Sequence, residues 1–207
     1  MSDPAGTEQK QRGRPRSEAA RNAIHTAAAE LLLAEDGDAV SMDEVAERAG
    51  VSKATIYRWW PSKETLTLDA LLREWGTDRR KAPRETGSLR GDLLALIRPW
   101  VRRLRSRPYG RVVSGLLAET HTDAAFAETY RARFVEVRRD PARELITRAI
   151  ENGELPADTN VDLALDLVFG PIYHRLLQGH APLTERFAED VVDTALVGLG
   201  STPAGRE

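Results

Sequence analysis

The sequence contains no cysteine, which excludes disulfides, thiolate metal sites and cysteine nucleophiles. It also has no long apolar run, because the longest, residues 93–97, is far short of the roughly 18 residues that a membrane-spanning helix requires. Aromatic residues are scarce at 6%, but 41% hydrophobic and 30% charged residues in a chain of 207 are typical of a globular protein with a buried core. The polar N-terminus does not resemble a signal peptide, so the sequence predicts a cytoplasmic protein without a membrane partner.

Patterns for catalysis and metal binding are missing as well. The four histidines have none of the Glu-x-x-His, His-x-x-x-His or HExxH spacings that place two ligands on one helix face; they are His25, His121, His174 and His180. No glycine-rich phosphate loop and no nucleophile elbow occurs. The sequence therefore predicts no catalytic residue, no metal and no cofactor, and a helical-bundle enzyme is kept only as an alternative.

Positive charge is concentrated near the N-terminus, although the net charge of the chain is only −2. Five basic residues and one acid lie between Lys10 and Arg21, and such an arm is a feature of nucleic-acid-binding proteins. The alternative is a solvated tail, because Arg accounts for 26 of the 30 basic residues and composition alone produces such clusters. Residues 1–16 contain almost nothing apolar, so we expect a flexible arm there.

Helical periodicity begins after this arm. A first helix is predicted from Ser17, as its N-cap, to about Glu35. Its apolar face consists of residues at helical spacing, namely Ala20, Ile24, Ala27 and Leu31. Ser41 followed by Glu44 has the pattern of a capping box and predicts a second, short helix. Ser52 caps a third helix, which we expect to end near Trp60.

A fourth helix is predicted after Pro61, with Ser62 as its N-cap, and residues 76–87 form the expected domain boundary. Beyond them no period-2 alternation indicates a strand, so the fold class is all-α. The predicted C-terminal helices span residues 89–105, 109–120, 124–151, 161–178 and 184–199. Pro99, Pro141 and Pro171 lie inside three of these helices, so each is expected to kink or break its helix or to mark a misplaced boundary.

Residues 41–63 have the sequence form of a helix-turn-helix, with Gly50 at the tight turn. The second helix of such a pair lies in the major groove of duplex DNA. Residues 51–63 contain no acid, and they supply positive charge, hydroxyls and aromatic surface through Lys53, Thr55, Tyr57, Arg58, Trp59 and Lys63. The alternative is an ordinary helical hairpin; Ile56 and Trp60 are expected to face a core in either case.

Residues 45–66, VAERAGVSKATIYRWWPSKETL, resemble the TetR family of transcriptional regulators. The family signature is a short helix, Ala-Gly-Val-Ser, a recognition helix containing Tyr, an aromatic-Pro-Ser-Lys turn and then Glu-x-Leu. The resemblance covers about 50 residues in one register without gaps. Ala54 stands where the family often has Gly, and Trp60 where it often has Phe.

The resemblance implies that Lys53, Thr55, Tyr57 and Trp59 face the groove or its phosphates and that Lys63 clamps a backbone phosphate. The basic arm then becomes a candidate for minor-groove contact, because residues 12–16, RGRPR, resemble an AT-hook core. The full set of candidate DNA-binding residues is Arg14, Arg16, Ser41, Ser52, Lys53, Thr55, Tyr57, Arg58, Trp59 and Lys63.

The predicted helix 161–178 is apolar nearly all round in its first three turns, which requires cover on both sides. The last helix offers a similar seam, so two helices from each of two chains would form a four-helix bundle. This agrees with the resemblance, and residues 170–177, GPIYHRLL, look like a C-terminal subtype of the family. The alternative is a deeply buried helix in a monomer. The candidate dimer residues are Val168, Ile172, Leu176, Ala188, Val191, Val192, Ala195 and Leu199.

The resemblance also implies a ligand cavity enclosed by the helices between residues 89 and 151. The candidate lining residues are Trp100, Tyr109, Leu117, His121, Tyr130, Phe134, Phe169 and His174, each of which also fits an ordinary core position. Several arginines are compatible with an anionic effector or with a solvated helix face; they are Arg102, Arg103, Arg105, Arg107 and Arg111.

The sequence thus predicts a flexible basic arm (1–16), a three-helix helix-turn-helix DNA-binding domain (17–80), a helical ligand-binding and dimerisation domain (88–200) and a disordered tail (201–207). The predicted function is that of a homodimeric repressor that binds a palindromic operator in double-stranded DNA and is released by an unidentified small molecule. An effector-independent architectural DNA binder is the alternative within the same class.

Overall fold

The computed structural model of the chain describes residues 14–34, 40–75 and 85–200. Helices account for the regular structure of these residues, with no strand among them, which confirms the all-α class. The helices are α1 (Arg14–Leu33), α2 (Met42–Ala49), α3 (Lys53–Tyr57), α4 (Lys63–Trp75), α5 (Leu89–Arg105), α6 (Arg107–Glu119), α7 (Ala124–Tyr130), α8 (Glu136–Glu151), α9 (Val161–Gln178) and α10 (Glu185–Gly200). A π-helical segment, Arg131–Val135, joins α7 to α8.

The N-terminal helix begins earlier than the sequence indicated. Helix α1 begins at Arg14, so Ser17 lies inside the helix and is not its N-cap. Pro15 favours this start, because its fixed φ suits a first helical turn and the amide it lacks has no partner there. The last three residues assigned to the flexible arm therefore belong to α1. Residues 1–13 and 201–207, which were assigned to the arm and the tail, lie outside the described part of the chain.

The apolar face predicted for this helix packs as expected. Ile24, Ala27 and Leu31 are buried and Ala20 is half-buried, and α1 packs against α2 and α4. Burying such side chains stabilises a helix that would be marginal in isolation.

The C-terminal helices form a second layer of packing in which α5 lies against α6, α8 and α10, while α9 lies between α8 and α10. The predicted helices 89–105 and 161–178 match α5 and α9, and two others shift by one or two residues. The single helix predicted for 124–151 has the ends that the structure shows, but a π segment inside it separates α7 from α8. Period-3.6 patterns cannot reveal one wider turn.

Helices α5, α8 and α9 continue through Pro99, Pro141 and Pro171. Each proline costs one backbone hydrogen bond, which the buried side chains on either side of it outweigh. None of the described helices is long and apolar enough to cross a bilayer.

One continuous core runs from α1 to α10. Aromatic contacts extend this core across the predicted domain boundary. The ring centroid of Trp75 in α4 lies 5.5 Å from that of Tyr109 in α6 and 5.7 Å from that of Phe134 in the π segment. Residues 76–84 of that boundary lie outside the described residues. Helix α4 is therefore packed against helices of the C-terminal domain as well as against α1 of the N-terminal domain.

Candidate nucleic-acid interface

The turn between α2 and α3 depends on Gly50. Its backbone lies in the left-handed region at φ 65° and ψ 35°, and the amide of Val51 donates to the carbonyl of Ala46 at 3.0 Å, which closes α2. A Cβ at Gly50 would meet no atom within 4 Å, so the requirement for glycine comes from φ alone. The predicted capping box is not formed, since the Ser41 side chain makes no capping hydrogen bond to α2.

Helix α3 is five residues long and begins with a local cap. The Ser52 hydroxyl accepts a hydrogen bond from the Thr55 amide at 3.2 Å and lies 2.9 Å from the Thr55 hydroxyl. These two candidate DNA-contact residues therefore stabilise the start of the helix. The helix ends at Tyr57, three residues earlier than predicted, and a turn at Arg58 and Trp59 leads to Trp60.

One side of this helix is locked into the core. Ile56 is fully buried and Trp60 is nearly so, as their spacing predicted. Lys53, Tyr57 and Arg58 are exposed, with half of the Tyr57 side chain accessible. The short helix and the residue that follows it thus present two cations and a phenol to solvent.

The exposed cations have partners within the protein. The Lys53 ammonium lies 2.8 Å from Asp43 of α2, whose carboxylate accepts its hydrogen bond and raises the pKa of Lys53. The Arg58 guanidinium lies 4.6 Å from the centre of the Trp59 ring, and Trp59 packs edge-on against Trp60. Lys53 must leave Asp43 to reach a phosphate, a competition that the sequence reading missed.

Lys63 is the first residue of α4, where unpaired backbone amides create positive potential. Its ammonium is half-exposed and lies 3.7 Å from Glu64. The Ser62 hydroxyl accepts from the Thr65 amide at 3.3 Å, as expected of the N-cap. Arg14 and Arg16 lie in the first turn of α1, a helical rather than an extended backbone.

A buried polar cluster lies behind α3, and no sequence pattern indicated it. It consists of Asp69 with His25, Trp60 and Arg133. Asp69 Oδ2 accepts a hydrogen bond from Trp60 Nε1 at 3.0 Å and lies 3.3 Å from His25 Nε2, while Oδ1 accepts from the Arg133 guanidinium. His25 also meets the Trp60 ring edge-on at 4.9 Å.

The cluster shifts the acidity of its members. Burial lowers the pKa of His25 below its ordinary value, although Asp69 acts in the opposite direction. Burial raises the pKa of Asp69, but hydrogen bonds from Arg133 and Trp60 outweigh that effect, so its pKa lies below the ordinary value. The resulting charge state is an ionised Asp69 beside a neutral His25 at neutral pH.

Most of the candidate dimer residues are already covered by the rest of their own chain. Leu176 and Leu199 are half-buried, while the other six are buried: Val168, Ile172, Ala188, Val191, Val192 and Ala195. They have little area left for a second chain. The exposed large apolar side chains of α9 and α10 are Leu163, Leu167, Leu177 and Val197.

A cavity of about 170 Å³ lies between the π segment, α8 and α9. Its walls are formed by Val135, Arg138, Arg139, Asp166, Phe169, Gly170 and Tyr173. Of the eight candidate ligand residues, Phe169 is the one that lines it. His121 and His174 are exposed, and the remaining five lie in or against the core: Trp100, Tyr109, Leu117, Tyr130 and Phe134.

Two of the arginines that are compatible with an anionic effector have contacts within the protein: Arg102 pairs with Glu185 at 3.0 Å, and Arg103 lies 5.9 Å from the Trp75 ring. Structural pairing thus accounts for these two. Within the ranges that the structure describes, no three His, Asp or Glu side chains are grouped so that they could hold a metal ion.

The helix-turn-helix with its basic outer face, joined to a larger helical domain, defines a DNA-binding transcriptional regulator. Two family models match the chain: residues 24–70 match bacterial regulatory proteins of the tetR family, and residues 83–195 match the tetracyclin repressor-like C-terminal domain. The chain belongs to the TetR family. This confirms the resemblance seen in residues 45–66.

Individual relatives agree over nearly the whole chain. The HTH-type transcriptional regulator YdeS of Bacillus subtilis is 40% identical over 196 residues, which are 95% of this chain and 98% of YdeS. The DNA-binding transcriptional repressor TetR of Mycobacteroides abscessus is 29% identical, covering 89% of this chain and 95% of that protein. The crystal structure of the TetR family regulator SCO0332 superposes with a TM-score of 0.71 at 36% identity, covering 89% and 99% of the two chains. These proteins are regulators, so the prediction that the chain is not an enzyme is confirmed.

Proposed function

We propose that this regulator is a homodimeric repressor that reads a palindromic operator through α3 and leaves it when a small molecule binds the C-terminal helices. The observation that carries the proposal is the two-sided character of α3. Ile56 and Trp60 hold it against the core, while Lys53, Tyr57 and Arg58 point outward. A helix held in this way can enter the major groove without deforming.

In the proposed complex, Tyr57 contacts base edges and supplies sequence preference, while Lys63 and the amides at the start of α4 bind a phosphate. Lys53 exchanges Asp43 for a phosphate oxygen, at a cost that its exposed position keeps small. Arg14 and Arg16, at the N-terminal end of α1, are proposed to extend these contacts toward the minor groove.

The dimer is proposed to form through the outward faces of α9 and α10. Leu163, Leu167 and Leu177 lie on one stripe of α9, because Leu167 and Leu177 follow Leu163 by four and 14 residues, which are close to one and four full turns of an α-helix. Gly170 lies on the same exposed stripe, where a Cβ would meet no atom within 4 Å. Val197 of α10 is 73% exposed, an unusual value for valine in a long helix. Pairing these faces about a two-fold axis forms a four-helix bundle.

The cavity beside α9 is the proposed effector site. Its volume of about 170 Å³ suits a molecule with a single ring, since an engineered protein cavity of about 150 Å³ holds benzene. Asp166 and Gly170 belong both to its wall and to the exposed side of α9. An occupant is therefore placed to change how two protomers meet, and coupling of about 1–3 kcal/mol is sufficient for release. Repression is supported by the name of the Mycobacteroides relative.

The test is selection of bound duplexes from a random DNA pool at near-physiological salt, where nonspecific attraction is weak. We expect an enriched palindrome whose half-sites are about one helical turn apart. Light scattering on the same sample is expected to give twice the mass of the chain. A folded dimer that enriches no sequence would contradict the proposal and favour the architectural alternative, and a monomer would contradict the palindrome.

A further inference from the structure

The Asp69 carboxylate joins parts of the molecule that are far apart in sequence. It lies on α4, and its three partners come from α1, from the turn after α3 and from the π segment of the C-terminal domain. Only 13% of the Asp69 side chain is exposed. A buried carboxylate with three partners has little freedom to rotate, so a change at one partner alters the others.

Trp60 connects this carboxylate to the recognition helix. The residue lies three positions after Tyr57, and its indole is nearly buried. A buried indole N–H is costly to leave unpaired, and Asp69 is the acceptor that pairs it. The orientation of Asp69 therefore determines the position of Trp60 and, through the turn, that of the last residues of α3.

Arg133 contacts Asp69 from the C-terminal domain, and the backbone next to it is held in the core by the neighbouring residue. Its neighbour Phe134 is fully buried, stacks on Tyr130 at 4.8 Å between ring centroids and lies 5.7 Å from Trp75. The guanidinium itself is about half exposed. The backbone of Arg133 is thus anchored in the core while its side chain extends to α4.

Charge explains why the guanidinium is needed. His25, the other titratable group that touches Asp69, is neutral at neutral pH and does not balance the carboxylate. Arg21 and Arg73 lie near the cluster, but Arg21 faces the Trp60 ring at 5.8 Å and Arg73 donates to Asn22. Arg133 is the cation that hydrogen-bonds the carboxylate. Its loss would leave a buried charge poorly compensated.

We propose that Arg133 is a positioning residue for DNA reading: by holding Asp69 it holds Trp60, and through Trp60 it sets the orientation of α3. The inference rests on the proposed function in so far as α3 is the helix that reads DNA. Arg133 itself lies in the C-terminal domain and acts without touching the duplex.

The experiment compares Arg133→Ala with Arg131→Ala, which removes the same charge from an exposed position in the same π segment. Hydrogen exchange is measured at the amides of residues 55–60 and at the Trp60 indole in the free protein. Affinity is measured for the selected palindrome and for a scrambled duplex of equal length. Arg133→Ala is expected to speed exchange at these sites and to lower palindrome affinity about fivefold, leaving the scrambled duplex unaffected.

Two further variants test the route through Asp69. In a Trp60→Phe background, which keeps a smaller aromatic ring but removes the N–H donor, Arg133→Ala should cost much less affinity, since Arg133 and Trp60 act in series. Arg133→Lys keeps a charge at this position and should recover part of the loss. An equal loss in both backgrounds would show that Arg133 does not act through Trp60.

Three results would overturn the proposal: exchange and affinity equal to those of Arg131→Ala, an equal loss on both duplexes, or a lower Tm without any selective change near Trp60. If the wild-type protein enriches no duplex, the proposed function fails. The exchange measurement then still decides whether Arg133 positions Trp60.

Discussion

The two domains reach their structures by different means. In the N-terminal domain, short helices begin and end at local signals: the Gly50 turn, the Ser52 cap and the Ser62 cap all act within five residues. Helix α3 has only five residues and would not persist without them. Short-range hydrogen bonds therefore give this domain its shape, and each can be read from consecutive residues.

In the C-terminal domain, long helices are aligned by contacts between distant residues. Helices α5 and α10 run antiparallel and are joined by three ion pairs: Arg90 with Asp193 at 2.5 Å, Arg98 with Glu189 at 2.6 Å, and Arg102 with Glu185 at 3.0 Å. Each pair is partly exposed and contributes little by itself. Along α5 the paired arginines rise in number while their partners on α10 fall, so the three pairs fix one antiparallel register between the two helices. That register depends on which helices pack together, and no short stretch of sequence contains this information.

The largest effect is expected on dimer formation, at the exposed face of α9, where large apolar side chains are left uncovered by the rest of the C-terminal domain. The double change Leu163→Glu and Leu167→Glu should raise the dimer dissociation constant on the order of a hundredfold or more, because burying unpaired carboxylates costs several kcal/mol. Sedimentation velocity measures the change. Ala125→Glu, at an exposed position of α7, is the matched control and should leave the dimer intact. An intact dimer in the double variant would place the interface elsewhere.

The next effect distinguishes base contacts from phosphate contacts within the N-terminal domain. Tyr57→Ala should cost about 1–3 kcal/mol on the selected palindrome relative to a scrambled duplex. Lys63→Ala should weaken both duplexes equally and reduce the slope of log affinity against log salt by about one. Fluorescence anisotropy titrations at several salt concentrations measure both. If Tyr57→Ala left affinity and preference intact, α3 would not be the reading helix.

A pair of glycine substitutions tests whether local backbone geometry controls the N-terminal domain. Gly50→Ala should destabilise the protein by about 1 kcal/mol, because the left-handed φ disfavours a Cβ even in open space. Gly115→Ala, at an exposed and equally open position inside α6, should stabilise it by about 0.5–1 kcal/mol. Urea denaturation gives both values. Changes of the same sign would contradict the explanation.

The smallest effect concerns pH at the junction of the two domains. Because burial lowers the pKa of His25, the unfolded chain binds more protons than the folded chain just below pH 6.5. Stability should therefore decrease as the pH falls from about 6.5 toward the lowered pKa, and His25→Gln should flatten this dependence. Asp69 also has a lowered pKa, so its contribution is lost only below the ordinary carboxyl range. Thermal unfolding between pH 5 and 8 measures the His25 contribution; a rise in stability on acidification would contradict the sign.

Local features were predictable because their causes are local. The helices α5 and α9, the turn at Gly50 and the caps Ser52 and Ser62 follow from spacing and residue type. The features that local patterns did not predict depend on surroundings elsewhere in the chain. Ser41 has the pattern of a cap but makes no capping bond, and the π segment at Arg131–Val135 has no periodicity of its own.

The sequence by itself determined the all-α class, the helix-turn-helix and the family, because these depend on periodicity and on a motif read in one register. The tertiary structure alone decided which leucines and valines of α9 face inward: Leu163 and Val168 are chemically alike, yet one is half-exposed and the other buried. It also brought Arg133 to Asp69 across 64 positions. Burial on one helix face and contacts between distant residues both depend on which helices pack together. Two residues far apart in sequence show no local pattern that predicts their contact, because the contact forms only when the helices have packed.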